Sequence, residues 1–327
     1  MVTPRRDIIV IGASSGGVRL LLDMAATLPV PVPASILLVQ HIGTHESILP
    51  ELLMRRGRNP ALHARSGLSI EAGQIYVAPP DHHMLVVGKE IRLTREAKEN
   101  HTRPAIDPLF RSAAISLGPR VIGVVLSGRL DDGTAGLQAV KACGGLAVVQ
   151  EPKDAEAPDM PASASANVAV DHYVTSATLV ETLMRLVDEP VSVPRIAVPP
   201  ELMCEFQLSA GEGDTMEKLD AIGRPSKIIC PDCNGVLWEI NDSRPQRYRC
   251  HTGHAYTQRT LEHTQAGRVD EALWTALRAL HEREALLSTM AGTFRAQRDD
   301  HEAQRLEAEA EHVRTHAVQL QRMVTRE

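Results

Sequence analysis

Three runs of apolar residues in the first half of the chain do not alternate. Ile8-Ile9-Val10-Ile11, Ile36-Leu37-Leu38-Val39 and Val121-Ile122-Gly123-Val124-Val125-Leu126 are continuous and largely β-branched. A strand with one wet face alternates apolar and polar side chains, so an unbroken run belongs to a strand buried on both faces. That requirement selects a mainly parallel sheet with helices packed on each side, a doubly wound, Rossmann-like α/β fold. Helical patterns at 18–24, 45–56, 107–117, 134–142 and 176–187 separate the runs, with a further strand at 146–149. Residues 73–78, 84–87 and 91–93 read as strands, the last two joined as a hairpin through Gly88-Lys89. The small, polar stretch 158–166 reads as a loop, either over a crevice or simply connecting.

In open α/β sheets functional groups gather beyond the carboxyl ends of the strands, and three runs here end on chemistry-bearing residues. The first leads into Gly12-Ala13-Ser14-Ser15-Gly16-Gly17. This fits G-x-S-x-G, where small neighbours let the chain turn sharply and expose a hydroxyl beside backbone N–H groups. A glycine-rich turn between strand and helix also serves as a phosphate cradle, but G-x-G-x-x-G and a following Lys-Ser/Thr are both missing. The second run ends at His41, and the third is followed by Asp131-Asp132. Ser14, His41 and one of these aspartates can meet in one crevice, with histidine taking the serine proton and the carboxylate orienting the imidazole. The chain order Ser, His, Asp departs from the Ser, Asp, His order of α/β-hydrolases.

Five ordered blocks carry a resemblance: Ile11-Gly12-Ala13-Ser14-Ser15-Gly16-Gly17, Val39-Gln40-His41, the stretch from Tyr76 to Met84, Arg103-Pro104-Ala105-Ile106-Asp107-Pro108-Leu109-Phe110, and Asp132-Gly133-Thr134-Ala135-Gly136. Residues 7 to about 188 resemble the catalytic domain of the CheB chemotaxis protein-glutamate methylesterases. The resemblance implies Ser14 as nucleophile, His41 as base and Asp132, the residue before the matched glycine, as orienting acid. It implies hydrolysis of glutamate γ-methyl esters on the cytoplasmic helices of methyl-accepting receptors, with methanol released, and glutamine deamidation as a side activity. No cofactor is implied for catalysis. A cognate methyltransferase or a separate regulator is the further partner it suggests. The family usually has Thr-Gly-Met-Gly where this chain has Ser127-Gly128-Arg129-Leu130, so Arg129 is left to serve the oxyanion site through its N–H while its side chain faces solvent or acidic receptor segments. Full-length chemotaxis members carry an N-terminal receiver domain. Few residues precede the first run here, so control is expected to come from elsewhere in the chain or from partners.

Aromatic residues are only 3% of the chain and the net charge is −6, which leaves neither stacking platforms nor a basic footprint for nucleic acid. No apolar stretch approaches membrane-spanning length and the N-terminus lacks a signal-peptide core, so a cytoplasmic protein without membrane insertion is expected.

Residues 189–201 carry four prolines and read as an extended linker. Beyond it stand Cys230-Pro231-Asp232-Cys233 and Cys250-His251-Thr252-Gly253-His254. Two thiolates on one knuckle and a second pair about twenty residues on form the tetrahedral set that Zn²⁺ prefers. The expected ligands are Cys230, Cys233, Cys250 and His254, because Gly253 allows the turn and His251, adjacent to Cys250, would strain the chelate. Four protein ligands leave no position for water, so this zinc is expected to be structural. Leu237 to Ile240 and Arg247 to Arg249 read as short strands of the ribbon. From Asp270 the chain turns helical, with Leu273, Leu277, Leu280 and Leu287 on one heptad-like seam and Leu306, Ala310, Val313, Ala317, Leu320 and Val324 on another. A break near Gly292 suggests an antiparallel hairpin; one continuous helix, or a coiled coil that joins two copies, satisfies the same pattern. The expected organisation is a methylesterase domain at 1–188, a linker at 189–204, a zinc ribbon-like module at 205–262 and a helical tail at 263–327. Two readings follow: an esterase whose ribbon and tail target or regulate it, and a catalytically weak scaffold of the same fold acting through those modules.

Overall fold

The computed structural model describes residues 5–42, 46–191, 194 and 196–325. Its first strands and helices alternate: β1 (Ile8–Ala13), α1 (Gly17–Thr27), β2 (Ser35–Gln40), α2 (Leu49–Arg56), β3 (Ala61–His63) and β4 (Ile75–Val77). The antiparallel hairpin β5 (His83–Val87) and β6 (Glu90–Thr94) follows, then α3 (Ile106–Leu117), β7 (Val121–Val125), α4 (Thr134–Ala142), β8 (Leu146–Gln150), α5 (Asp159–Asn167), β9 (His172–Val174) and α6 (Leu179–Asp188). Seven strands form one parallel sheet in the order β3-β4-β2-β1-β7-β8-β9. The chain winds outward from β1 first through β2 and later through β7, so the switch in winding direction lies between β1 and β7. At such a point the loops leaving two neighbouring strands run in opposite directions and open a crevice.

The continuous runs fill both faces of the sheet. Ile8 and Val10 of β1 pack with α3 and α4 residues such as Phe110 and Leu137. Ile9, Ile11 and Ala13 face the other way, against Leu21 and Met24 of α1 and Leu183 of α6. Helix α3 is buried almost all round, including Asp107 and Arg111, because the hairpin and α4 cover it from opposite sides.

The remaining elements are α7 (Pro200–Ser209), α8 (Thr215–Ile222), the antiparallel sheet β10 (Gly223–Ile229), β11 (Val236–Ile240), β12 (Arg247–Cys250) and β13 (Ala255–Thr257), then α9 (Gln258–Ala296) and α10 (Asp300–Val324). Two compact units result, Met1–Leu261 and Glu262–Glu327. The first contains both the parallel sheet and the cysteine-bearing sheet.

Several elements differ from the sequence expectation. The stretch 158–166, expected as a loop, forms α5; its Pro161 lies in the first turn, where a missing N–H costs nothing. The linker expected to reach residue 204 ends at α7, where Pro200 is again a first-turn residue, and α7 packs against α3. Residues 192, 193 and 195 of that linker, and residue 45 of the second expected helix, lie outside the described residues. The last helical segment begins at Gln258 rather than Asp270 and runs through Gly292 to Ala296. Leu287, Ala291 and Phe294 keep its seam packed against Leu306, Ala310 and Val313 beyond the expected break. Ion pairs Arg283–Glu309 and Arg314–Glu284 at 2.7 and 2.8 Å join α9 to α10 as an antiparallel hairpin.

Candidate functional site

Ser14 and His41 leave the ends of the adjacent strands β1 and β2. The parallel ladder continues into the loops, where His41 N–H donates to Ala13 O at 3.1 Å and Ser14 N–H donates to Ser127 O, beyond β7, at 2.9 Å. Gln40 ties the loops together: its Nε2 donates to Ser14 O at 2.8 Å and to His41 O at 3.1 Å. After Ser14 the chain turns through Gly16, whose φ of 78° is left-handed and open to glycine at no steric cost. Gly17 then begins α1 with its N–H on Ser14 O, so the serine sits at a helix N-terminus. Opposite, Gly128 approaches so closely that a Cβ there would lie 2.9 Å from Ser14 Cβ and closer still to Met160 Sδ.

His41 Nε2 lies 2.9 Å from Asp132 Oδ2, and their side chains are 14% and 4% exposed. With Nε2–H donating to a carboxylate, the tautomer leaves the lone pair on Nδ1. Among the described residues no hydrogen bond joins Ser14 to His41. Thr102 Oγ1 is 3.4 Å from His41 Nε2. A cavity of about 90 Å³ opens beside the imidazole, bounded by Ile42, Lys98, Thr102 and Arg103.

Asp132 is held from several directions. Oδ2 also accepts the Ile106 N–H at 2.7 Å, and Oδ1 accepts Asn100 Nδ2 and Gly133 N–H, each at 2.9 Å. Burial raises its pKa, but the hydrogen bond and charge of His41, with the Ile106 and Asn100 donors, outweigh that and hold it below the usual carboxylate range. Asp107 goes the other way. Burial and the charge of Asp132 push its pKa well up, although it accepts Gly136 N–H at 2.6 Å. Asp131 is turned away from the imidazole and accepts the Thr257 and Thr260 hydroxyls at 2.7 and 2.9 Å.

Arg129 is exposed, and its N–H has no hydrogen-bond partner among the described residues. The following residue, Leu130, has a left-handed φ of 62°, which curls this loop beside the serine turn. Ser127 fastens the turn, since its Oγ donates to Ser15 O at 2.7 Å and accepts Ala157 N–H at 2.9 Å. Buried His83 accepts Ala105 N–H on Nδ1 and donates from Nε2 to Ala97 O, a neutral tautomer; burial lowers its pKa.

The second cluster is Cys230, Cys233, Cys250 and His254, whose ligand atoms all lie within 4.8 Å of one another. Zn–S bonds of about 2.3 Å make the edges of a tetrahedral thiolate set about 3.8 Å long. Cys233 and Cys250 sulfurs are 3.6 Å apart, and His254 Nδ1 lies 3.5 Å from Cys250 Sγ and 3.7 Å from Cys230 Sγ. The donor set and its dimensions fit Zn²⁺. Around it, Tyr256 Oη donates to Asp232 at 2.7 Å, and Asp232 Oδ2 lies 4.0 Å from His254 Nε2, the placement of a carboxylate that would orient this imidazole toward a metal. His251 is outside the cluster.

Sequence reasoning missed Asn100, Gln40 and Ser127 as parts of this site. Gln40 stood inside a quoted block; Asn100 lies in a polar loop with no periodic or motif signal.

A family model described as CheB methylesterase matches residues 9–183. A protein of Leptospira interrogans whose assigned name is protein-glutamate methylesterase/protein-glutamine glutaminase is 36% identical over 186 residues, 55% of this chain and 94% of that protein. A Pyrococcus abyssi protein-glutamate methylesterase/protein-glutamine glutaminase is 36% identical over 57% of this chain and 52% of its own length. The crystal structure of the Thermotoga maritima CheB methylesterase catalytic domain aligns with a TM-score of 0.53 at 30% identity, covering 57% of this chain and all of that one.

Proposed function

Because the chain belongs to the CheB methylesterase family, we propose that it hydrolyses glutamate γ-methyl esters on the cytoplasmic helices of chemoreceptors, releasing methanol, with Ser14, His41 and Asp132 as its catalytic triad. The observation that carries this reading is the 2.9 Å contact from His41 Nε2 to the buried Asp132, made at the strand end next to Ser14. That contact leaves Nδ1 as the base. Ser14 Oγ–H transfers its proton to Nδ1 as the oxygen attacks the ester carbonyl, and Asp132 stabilises the imidazolium. The negative charge that develops on the carbonyl oxygen is met by the free Arg129 N–H and by the N-terminal end of α1. Collapse of the intermediate expels methoxide, which takes the proton back from His41. Water then repeats the sequence on the acyl-serine and frees the glutamate carboxylate. The same steps with ammonia as leaving group deamidate a glutamine.

In this reading the Cys230/Cys233/Cys250/His254 set holds a structural Zn²⁺ that takes no part in the bond-breaking steps. Among the described residues no helix is long and apolar enough to cross a membrane; a cytoplasmic location is part of this reading and follows from the substrate, the receptors' cytoplasmic helices. Purified protein should release methanol from a peptide bearing a glutamate γ-methyl ester, and Ser14→Ala should lower that rate by about 10⁴-fold or more without changing the circular dichroism spectrum. His41→Ala should lose nearly as much, and the double variant little further. A Ser14→Ala protein that keeps most of its rate would overturn the mechanism.

A further inference from the structure

The Cys230/Cys233/Cys250/His254 cluster and the Asp132 carboxylate belong to one compact unit, and a short path of hydrogen bonds joins them. Cys250 and His254 are the two ends of a tight turn closed by Cys250 N–H on His254 O at 2.9 Å. The residues just outside that turn, Arg249 and Ala255, are paired across β12 and β13. Both grip the segment that precedes α3. Arg249 Nη2 binds Glu99 Oε1 at 2.7 Å, while Ala255 exchanges backbone hydrogen bonds with Lys98 and Asn100 at 3.2 and 2.8 Å. Two residues on, Thr257 N–H donates to Asn100 Oδ1 at 3.2 Å.

Asn100 is therefore read from both ends. Its buried amide oxygen faces an N–H, so its NH₂ group must face acceptors, and it does: Nδ2 donates to Asp132 Oδ1 and to Asp107 Oδ2, each at 2.9 Å. The reverse orientation would set an NH₂ against the Thr257 N–H. Its left-handed φ of 51° is held by the same Ala255 contact. The family match ends at residue 183, so the group that orients Asn100 comes from a segment outside that match.

We propose that the cysteine-bearing module sets the turnover of the esterase by positioning Asn100 against Asp132, so that metal binding between Cys250 and His254 tightens the acid of the triad. This rests on the esterase reading above. Asn100 and the Thr257 backbone N–H are positioning groups; neither touches the ester. An N–H on a carboxylate favours its charged form, so loss of the Asn100 contact raises the pKa at which Asp132 stops supporting His41. The other titratable groups facing Asp132 are His41, Asp107, Asp131 and His83.

The test measures methanol release from a glutamate γ-methyl ester peptide as a function of pH, on zinc-loaded full-length protein. Asn100→Gly, which suits the left-handed backbone, should lower kcat at least ten-fold with KM within two-fold, and move the acid limb of the kcat profile to higher pH. Removing zinc from the unmutated chain with a chelator should give the same loss and the same displaced limb, restored by adding zinc, and should quicken hydrogen exchange at amides 98–102. In Asn100→Gly the chelator should add little. Unchanged kcat and acid limb, in Asn100→Gly or in the zinc-free unmutated chain, overturn the proposal. Because the zinc arm uses the native sequence, an unstable variant does not shield it. A Ser14→Ala control that stays active would instead overturn the esterase reading on which this rests.

Discussion

The perturbation that most directly probes how the two sheets are joined is Glu99→Gln. Glu99 lies at 4% side-chain exposure between two guanidiniums. Its Oε2 accepts Arg111 Nη2 at 2.8 Å, and Oε1 accepts Arg249 Nη2 at 2.7 Å and Ser209 Oγ at 2.5 Å. Glu205 continues the cluster, bound to Arg111 at 3.0 Å and to Arg247 at 2.6 Å. Replacing Glu99 by its neutral isostere removes one of two carboxylates facing three arginines and turns an NH₂ group toward guanidinium donors. Removing one partner of a buried pair costs about 3–5 kcal/mol, because the charge left behind stays desolvated. That is a large share of a stability of about 5–15 kcal/mol. At about 2–4 °C per kcal/mol for a unit of this size the midpoint should fall by about 6–20 °C. Thermal unfolding of the zinc-loaded chain, followed by circular dichroism, measures it. The exposed pair Arg224–Glu239, at 3.4 Å, is the control, and Arg224→Ala should cost under about 1 kcal/mol. The pH dependence has a definite sign. Burial alone would raise the Glu99 pKa, but Arg111 and Arg249 outweigh it and hold the carboxyl far below its ordinary 4.5. A depressed folded-state pKa contributes stability that is complete above the unfolded value and is lost as pH falls toward the folded one. The gap between wild type and variant should be flat from about pH 8 to 5.5 and narrow below about 4.5. A Glu99→Gln protein within about 0.5 kcal/mol of wild type at pH 7, or a gap that widens in acid, would refute the reasoning.

Ending the chain after residue 188, at the boundary that the proline-rich segment suggests, should not give an independent esterase of native stability. It removes Glu205, Arg247 and Arg249 from the Arg111–Glu99 pair and Thr257 from Asn100; a truncated protein with the full-length chain's midpoint and kcat would contradict this. Gly128→Ala should push Ser14 or Met160 aside, since the added Cβ would lie 2.9 Å from Ser14 Cβ. Displacements of that size near reacting atoms cost about 10–100-fold, so kcat for methanol release should fall in that range with KM little changed; an unaltered kcat would show that the loop gives way at no cost to the serine.

What the sequence made legible is the part of the molecule that repeats or alternates. Unbroken apolar runs at 8–11, 36–39 and 121–126 announce strands buried on both faces, and the polar residue after each marks the crevice, because strand ends are where a doubly wound fold opens. The spacing of Cys230, Cys233, Cys250 and His254 singles out four side chains whose ligand atoms the fold brings within 4.8 Å of one another. Helix α5 was hidden because Ala and Ser carry no apolar period and Pro158, just before it, and Pro161, within it, look like breakers, although a first-turn proline loses no hydrogen bond. The helix break was misplaced at Gly292, whose added Cβ would meet only open space, because a solvent-facing glycine weakens a helix without ending one that tertiary packing holds. Asn100 was invisible for a deeper reason. Its partner Thr257 lies 157 residues away, and neither residue belongs to a periodic pattern or a motif. A buried polar contact is specified by the two surfaces that meet on folding, so its signal resides in neither segment. The same argument explains why the two sheets looked separable: the prolines at 189–201 read as a linker in the sequence, whereas the Glu99, Arg111, Glu205 and Arg249 cluster decides whether the pieces on either side share one folded unit.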